Sequence, residues 1–250
     1  MINVATFGKT NIGSTMRGAG ANYAWGCKYT MPTYGEMTKI TAYTKIVGGG
    51  NVVFGVYDET GKKLTQTNPV TISEIESWVD FLVSYVGAGK PYYFIMLTDG
   101  TSYIAADVGE IGQEVRDINV TYPNLPEQLE FEELLDNELS IYVTYTPIAT
   151  PQVQLTISST EGGTTLPTPT VYTVDIDSNV EVVAIPDSGF IFNHWELDGI
   201  NVSADQTYIV IMDTNHTLHA VFNVILPTHT LTINSTPIQG VPFTLEEVVS

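Results

Sequence analysis

The segment Leu139-Ser-Ile-Tyr-Val-Thr-Tyr145 decides the fold class, because apolar and polar side chains alternate along it. A period of two is typical of a β-strand that buries one face. Similar runs, separated by turns rich in Gly, Pro and Asp, recur before it. They are Trp25–Thr30, Met37–Ile46, Asn51–Tyr57, Trp78–Val86, Tyr92–Leu97 and Tyr103–Ala106. Roughly eight short strands of this kind predict that residues 1–148 form an antiparallel jelly-roll β-sandwich.

A repeated segment divides the rest of the chain. Leu155-Thr-Ile-Ser-Ser-Thr160 recurs as Leu231-Thr-Ile-Asn-Ser-Thr236, and each copy follows a junction rich in Thr and Pro. Repeats at such a distance indicate tandem small domains. We therefore predict an all-β chain with a small β domain at 152–224 and a truncated β unit at 229–250.

One stretch has no clear pattern. The three Leu residues of Pro126–Glu138 could form at most a ragged apolar stripe, and acidic residues crowd between them. We predict a loop or a single turn for this stretch.

The charge distribution excludes several classes of partner. The chain has nine Lys and Arg against 28 Asp and Glu, and no Lys or Arg follows Arg116. An acidic surface of this kind repels phosphate backbones and anionic headgroups. We therefore expect no nucleic-acid binding and no membrane insertion. The opening Met1–Thr10 lacks the pattern of a signal peptide, and the single Cys27 excludes an internal disulfide.

Residues 152–224 resemble a known family through Gly162-Gly163, Phe192-Asn-His-Trp195 and Leu197-Asp-Gly199. Two longer segments complete the match, Val180–Phe190 and Met212–Phe222. The resemblance is to the divergent InlB B-type repeat of bacterial and archaeal surface proteins. It implies a compact, β-grasp-like spacer or adhesion module, and it brings no catalytic residues. Residues 229–250 look like the start of a further small β domain.

Residues 1–148 resemble, more loosely, jelly-roll modules of secreted and virion-associated proteins, some of which bind carbohydrate. The match rests on Val53-Phe-Gly-Val-Tyr57, Trp78–Phe81 and Ser140–Pro147. These are mostly core and turn positions, so the match supports the fold more than a ligand.

Aromatic side chains are the main candidates for ligand binding, because flat rings stack on sugar rings. Trp78 shares strand parity with Asp80 and Ser84, which favours the less buried face of a sheet. An aromatic residue in a sandwich strand also commonly fills the core. The candidates are Tyr23, Tyr34, Trp78, Tyr92 and Tyr103.

Metal and enzyme signatures are weak. The densest acidic run offers oxygen ligands for a structural Ca²⁺, although the spacing of a dedicated calcium loop is missing. Its members are Glu130, Glu132, Glu133, Asp136 and Glu138. His216 and His219 lie three apart on a predicted strand, which places them on opposite faces. We expect no other cofactor and no catalytic residues.

Three functions remain open. The first is a non-catalytic extracellular attachment or display protein on a cell surface, filament or virion. It would bind a polysaccharide or a surface-protein partner. The second is a structural subunit that self-associates through residues 229–250, where Thr230–Asn234 would add to a neighbouring sheet. The third, ranked last, is a jelly-roll glycoside hydrolase or lyase, which needs opposed carboxylates across a cleft.

Overall fold

The computed structural model describes residues 4–110, 112–117, 120–130 and 133–226. The chain forms two compact units, one from Met1–Gln152 with Asp175–Asp177, the other from Val153–Val174 with Ser178–Ser250. Every regular element in the described ranges is a β-strand, which confirms the predicted all-β class. No helix there is long and apolar enough to cross a membrane. The predicted unit at 229–250 lies outside the described residues.

The first unit contains fourteen strands among the described residues. The predicted runs correspond to β3, β4, β5, β8, β9, β10 and β14, and the other seven strands have five residues or fewer. The bounds are β1 Ala5–Gly8, β2 Thr15–Ala19, β3 Ala24–Thr30, β4 Gly35–Ile46, β5 Gly50–Tyr57, β6 Lys63–Gln66, β7 Val70–Ile72, β8 Ser77–Gly87, β9 Pro91–Thr98, β10 Ser102–Val108, β11 Glu114–Asp117, β12 Glu133–Leu135, β13 Asn137–Leu139 and β14 Ile141–Pro147.

These strands form two antiparallel sheets. The first sheet has the order β1-β14-β4-β10-β13, with β8 beside β4 and β2 beside β10. The second sheet has the order β12-β11-β3-β9-β5-β6, with β7 beside β5. Their facing sides share one apolar core, in which Ile40 and Phe81 of the first sheet join Phe54 and Phe94 of the second. The first unit is therefore an antiparallel β-sandwich.

Strand alternation explains which residues enter this core. Trp25, Cys27 and Tyr29 of β3 point inward, as their period of two predicts. Cys27 is fully buried, and burial raises the pKa of its thiol. The buried Cys27 is therefore a core residue rather than an exposed nucleophile.

The second sheet is buried on both faces. Its outer side carries Tyr57, Ile95 and Leu97, and residues 120–130 cover it with Leu125 and Leu129. The predicted loop at Pro126–Glu138 is thus correct for its start but wrong for its end, where β12 and β13 form. Three-residue strands are too short to show alternation. Their position depends on pairing, of β12 with β11 and of β13 with β10.

The second unit packs a small sheet on a larger one. The larger sheet has the order β17-β15-β22-β19-β20, in which β15 and β22 are parallel, and the smaller has the order β16-β18-β21. Trp195 is fully buried between them, among Val182, Val210 and Leu218. The bounds are β15 Gln152–Ser159, β16 Gly163–Leu166, β17 Val171–Asp175, β18 Asn179–Pro186, β19 Phe190–Leu197, β20 Ile200–Ser203, β21 Thr207–Ile211 and β22 His216–Val224.

Candidate functional site

The outer side of the first sheet carries a cluster of aromatic rings. Trp78 on β8 lies directly opposite Tyr43 on β4, and Tyr142 on β14 lies opposite Thr41, two residues before Tyr43. The ring centroid of Trp78 is 5.4 Å from that of Tyr43 and 5.4 Å from that of Tyr142, both edge to face. Thr41 is almost fully buried. We call the surface formed by Trp78, Tyr43, Tyr142 and Tyr103 the aromatic face.

Paired polar groups lie beside these rings. Asp80 follows Trp78 by two residues on the same side of β8, and its carboxylate accepts hydrogen bonds from Lys39 Nζ at 2.9 Å and Thr41 Oγ1 at 2.8 Å. Partial burial opposes the effect, but these two bonds lower the pKa of Asp80. The group is therefore a fixed carboxylate at neutral pH, able to accept hydrogen bonds from hydroxyl groups.

Tyr103 on β10 extends the aromatic face. It lies opposite Lys45 of β4, and Lys45 Nζ stands 5.5 Å from the centre of its ring. On the other side Tyr103 pairs with Gly18, whose missing side chain leaves room for the ring. Lys45 also bonds Glu76 at 2.8 Å, which raises the pKa of the lysine. The ring is thus held between a cation and a glycine.

The structure separates the five predicted aromatic residues. Trp78 and Tyr103 lie on the aromatic face, whereas Tyr23 and Tyr34 lie in the connections before β3 and before β4. Tyr92 is fully buried, and its hydroxyl donates to the carbonyl of Ala88, so its ring offers no surface to a ligand.

Tyr43 and Tyr142 were missed among the candidates. Their position could have been found from parity, because Tyr43 alternates with the buried Ala42 and Tyr142 with the buried Ile141 and Val143. The pairing that brings them to Trp78 joins strands far apart in sequence, which a pattern within one strand does not contain.

The predicted calcium ligands do not gather at one point in the described part of the chain. Glu130 and Asp136 are exposed, Glu138 is half-buried beside Lys9, and Glu132 lies outside the described residues. Glu133 is in β12, but its side chain is not described. Among the described residues, no group of three or more His, Cys, Asp and Glu side chains could hold a metal ion. Structural calcium stays a prediction.

A cleft of about 550 Å³ opens between β3, β10 and β13. Its lining includes Tyr29 and Thr30 of β3, Val108 of β10 and Glu138 of β13. This volume is in the range of small-ligand sites. None of the five predicted aromatic residues lines it.

In the second unit, His216 lies between two carboxylates. Its Nδ1 is 2.7 Å from Oδ2 of Asp198, and its Nε2 is 2.9 Å from Oδ1 of Asp213. Asp198 adopts a left-handed backbone conformation and also accepts hydrogen bonds from the backbone and hydroxyl of Thr217. The bonds to Asp198 and Asp213 raise the pKa of His216. The hydrogen bonds of Asp198 with His216 and Thr217 join the turn after β19 to the start of β22.

The aromatic residues that carry the sequence resemblance lie in the core of the second unit. Phe192 packs against Trp195 and Phe222 with ring centroids 5.2 Å and 5.8 Å apart. The ring of Phe190 lies against Gly162, where a Cβ atom would stand 2.0 Å from it. Residues 153–226 match the divergent InlB B-repeat domain. We call them the B-repeat domain. Domains of this family occur in bacterial surface proteins.

Other comparisons are less informative. A comparison with curated proteins gave no match. Among solved structures, the chain is similar to a family two carbohydrate esterase from Cellvibrio japonicus, at 10% identity and a TM-score of 0.21. That alignment covers 64% of this chain and 36% of the esterase. At this TM-score the similarity supports no argument about fold or function.

Proposed function

We propose that the protein is a non-catalytic attachment protein of a bacterial surface, in which the sandwich binds polysaccharide and the B-repeat domain serves as a spacer. The observation that carries the binding part is the aromatic face, where Trp78, Tyr43 and Tyr142 form one ring cluster on the outer side of a sheet. Rings of this kind offer apolar surface to the C–H faces of sugars.

The groups around the rings suit a neutral, hydroxyl-rich ligand. The carboxylate of Asp80 and the hydroxyl of Thr144 lie on the same side of the sheet, and Lys39 and Lys45 are each paired with an acid. Such paired charges favour hydrogen bonding to hydroxyl groups over attraction of a net charge. The excess of acidic residues beyond Arg116 also disfavours anionic polymers as ligands.

The surface location rests on the B-repeat domain. Its family match, the Thr- and Pro-rich junction before it and its lack of Lys and Arg support display outside the cell. A module held away from a surface by a compact β domain has access to extended polymers.

Retention on a panel of cell-wall and plant polysaccharides in native affinity gels tests this proposal. We expect the full chain to be slowed by at least one neutral polysaccharide, and we expect Trp78→Ala to remove most of that retardation. Tyr23→Ala changes an exposed ring in the connection before β3 and serves as the matched control. Equal migration of wild type and Trp78→Ala on every polymer would overturn the proposal.

A further inference from the structure

Lys9 is a buried ammonium group between two carboxylates. Its side chain is 5% exposed, and its Nζ lies 2.8 Å from Oδ2 of Asp107 and 3.2 Å from Oε2 of Glu138. Asp107 on β10 and Glu138 on β13 are direct partners in the antiparallel register. Lys39 and Lys63, which also pair with carboxylates, are 32% and 17% exposed. A buried ammonium group from the end of β1 thus meets two carboxylates of neighbouring strands, whose side chains are 33% and 34% exposed.

Asp107 is held from a second direction. Its Oδ1 accepts a hydrogen bond from the backbone N–H of Ser14 at 2.8 Å, while Oδ2 contacts Lys9. An N–H placed in this way stabilises negative charge on Oδ1 when a nucleophile adds to the carboxyl carbon. Nζ of Lys9 already contacts Oδ2 of the carboxyl group that it would attack, which removes most of the entropic cost of bringing an amine to a carboxyl group.

The resting state is an ion pair. Burial opposes protonation of Lys9, but the bonds to Asp107 and Glu138 outweigh it and raise its pKa. The bond to Lys9 and the bonds to Ser14 lower the pKa of Asp107. Lys9 therefore has to pass a proton to a neighbouring group before it can act as a nucleophile, and Glu138 is the second carboxylate within reach.

We propose that Lys9 and Asp107 form an intramolecular isopeptide bond, with Glu138 as the proton-transfer residue. Glu138 takes one proton from Nζ of Lys9, and the neutral amine adds its electron pair to Cγ of Asp107. The N–Cγ bond forms and the Cγ–Oδ2 bond breaks. Oδ2 leaves as water with two protons from Nζ, one of them returned by Glu138. One ammonium and one carboxylate become one amide and one water, so no oxidant or cofactor is needed.

The position of the bond gives it a mechanical role. Lys9 directly follows β1, whose register partner is β14, and its backbone N–H donates to Ile141. A bond between Lys9 and Asp107 of β10 would tie the end of β1 covalently to the interior of the first sheet. The cleft lined by Val108, Gly109 and Glu138 adjoins Asp107 and offers a path for the released water. This inference is independent of the proposed polysaccharide binding.

Intact mass and peptide mapping of the full chain test the bond. We expect the purified protein to be lighter than its sequence by one water, and a digest to give a branched peptide joining Lys9 to Asp107. Lys9→Met and Asp107→Ala are expected at their full sequence masses. A wild-type protein at full mass, with Lys9 and Asp107 recovered in separate unmodified peptides, would overturn the proposal. A branched peptide that joins Lys9 to Glu138 would show that Asp107 is not the carboxyl group that reacts with Lys9.

Glu138→Gln tests the proton-transfer role. The amide keeps the shape of the side chain but cannot take a proton from Lys9, so we expect this variant to fold and to keep its full mass. Glu127→Gln is the matched control, because Glu127 contacts Lys63 at 2.6 Å but is 86% exposed. We expect Glu127→Gln to lose one water as wild type does. Bond formation in Glu138→Gln at the wild-type rate would contradict the role of Glu138.

Discussion

Asn137 on β13 donates a hydrogen bond from Nδ2 to Oε2 of Glu114 on β11, at 2.6 Å, and so joins the two sheets through a fully buried carboxylate. The other oxygen of Glu114 accepts from Arg116 Nε at 2.8 Å. Asn137 in turn accepts from Arg17 through its Oδ1. Each of these groups has a hydrogen-bonding partner, which is the condition for burying charge in a core.

Glu114→Ala is expected to destabilise the protein by about 1–3 kcal/mol or more, because it leaves the buried amide of Asn137 and the partly buried guanidinium of Arg116 without that acceptor. Glu76→Ala is the control. It breaks an ion pair with Lys45 whose two side chains are 28% and 38% exposed, and such surface pairs contribute little because water and salt screen them. Urea unfolding measures both changes. Equal losses in the two variants would contradict the role assigned to Glu114.

Gly162→Ala is expected to destabilise the B-repeat domain more than Gly189→Ala does. Both glycines have positive φ, +94° and +86°, so both variants pay about 1–2 kcal/mol of backbone strain. Only Gly162 lies against the ring of Phe190, so its variant also meets a steric clash that typically costs about 1–3 kcal/mol. Thermal unfolding of the two variants tests the difference, and a smaller loss for Gly162→Ala would contradict it.

The stability of the B-repeat domain is expected to fall as pH rises above the unfolded-state pKa of His216, about 6.5. The bonds to Asp198 and Asp213 raise the pKa of His216 in the folded state, so protonated His216 stabilises the fold. That contribution is complete below the unfolded value and is lost as pH passes the raised value. Melting temperatures across this range, for wild type and His216→Gln, measure the effect.

His219→Gln is the control for this pH dependence, because His219 contacts the hydroxyl of Ser158 at 2.8 Å instead of a carboxylate. We expect His219→Gln to keep the wild-type decline with pH and His216→Gln to lose part of it. A decline of the same size in His216→Gln would assign the pH dependence to other groups.

The longer strands of the sandwich could be predicted because each carries its own alternation. Trp25, Cys27 and Tyr29 are an example, since the buried face follows from sequence alone. The short strands β12 and β13 could not, because their pairing partners β11 and β10 determine them. The cover over the second sheet was also missed, since Leu125 and Leu129 sit in a segment without strand or helix periodicity.

The candidate site could be predicted only in part. Parity placed Trp78 on the outer side of its strand, but its contact with Tyr142 crosses β4 and depends on the order of strands in the sheet. Tyr92 has the same parity as the core residues Phe94 and Met96, so its burial follows from its own strand. Lys9, Asp107 and Glu138 are about 30 to 130 residues apart and meet only through the sheet register.

Titration calorimetry tests the central claim most directly, with the polysaccharide that retards the wild-type chain most. We expect Trp78→Ala and Tyr142→Ala each to weaken binding by about ten-fold, because losing an aromatic contact costs about 1.4 kcal/mol. Tyr23→Ala is expected to bind as wild type does. Unchanged affinity in both variants of the aromatic face, with their folds intact, would contradict polysaccharide binding at this surface.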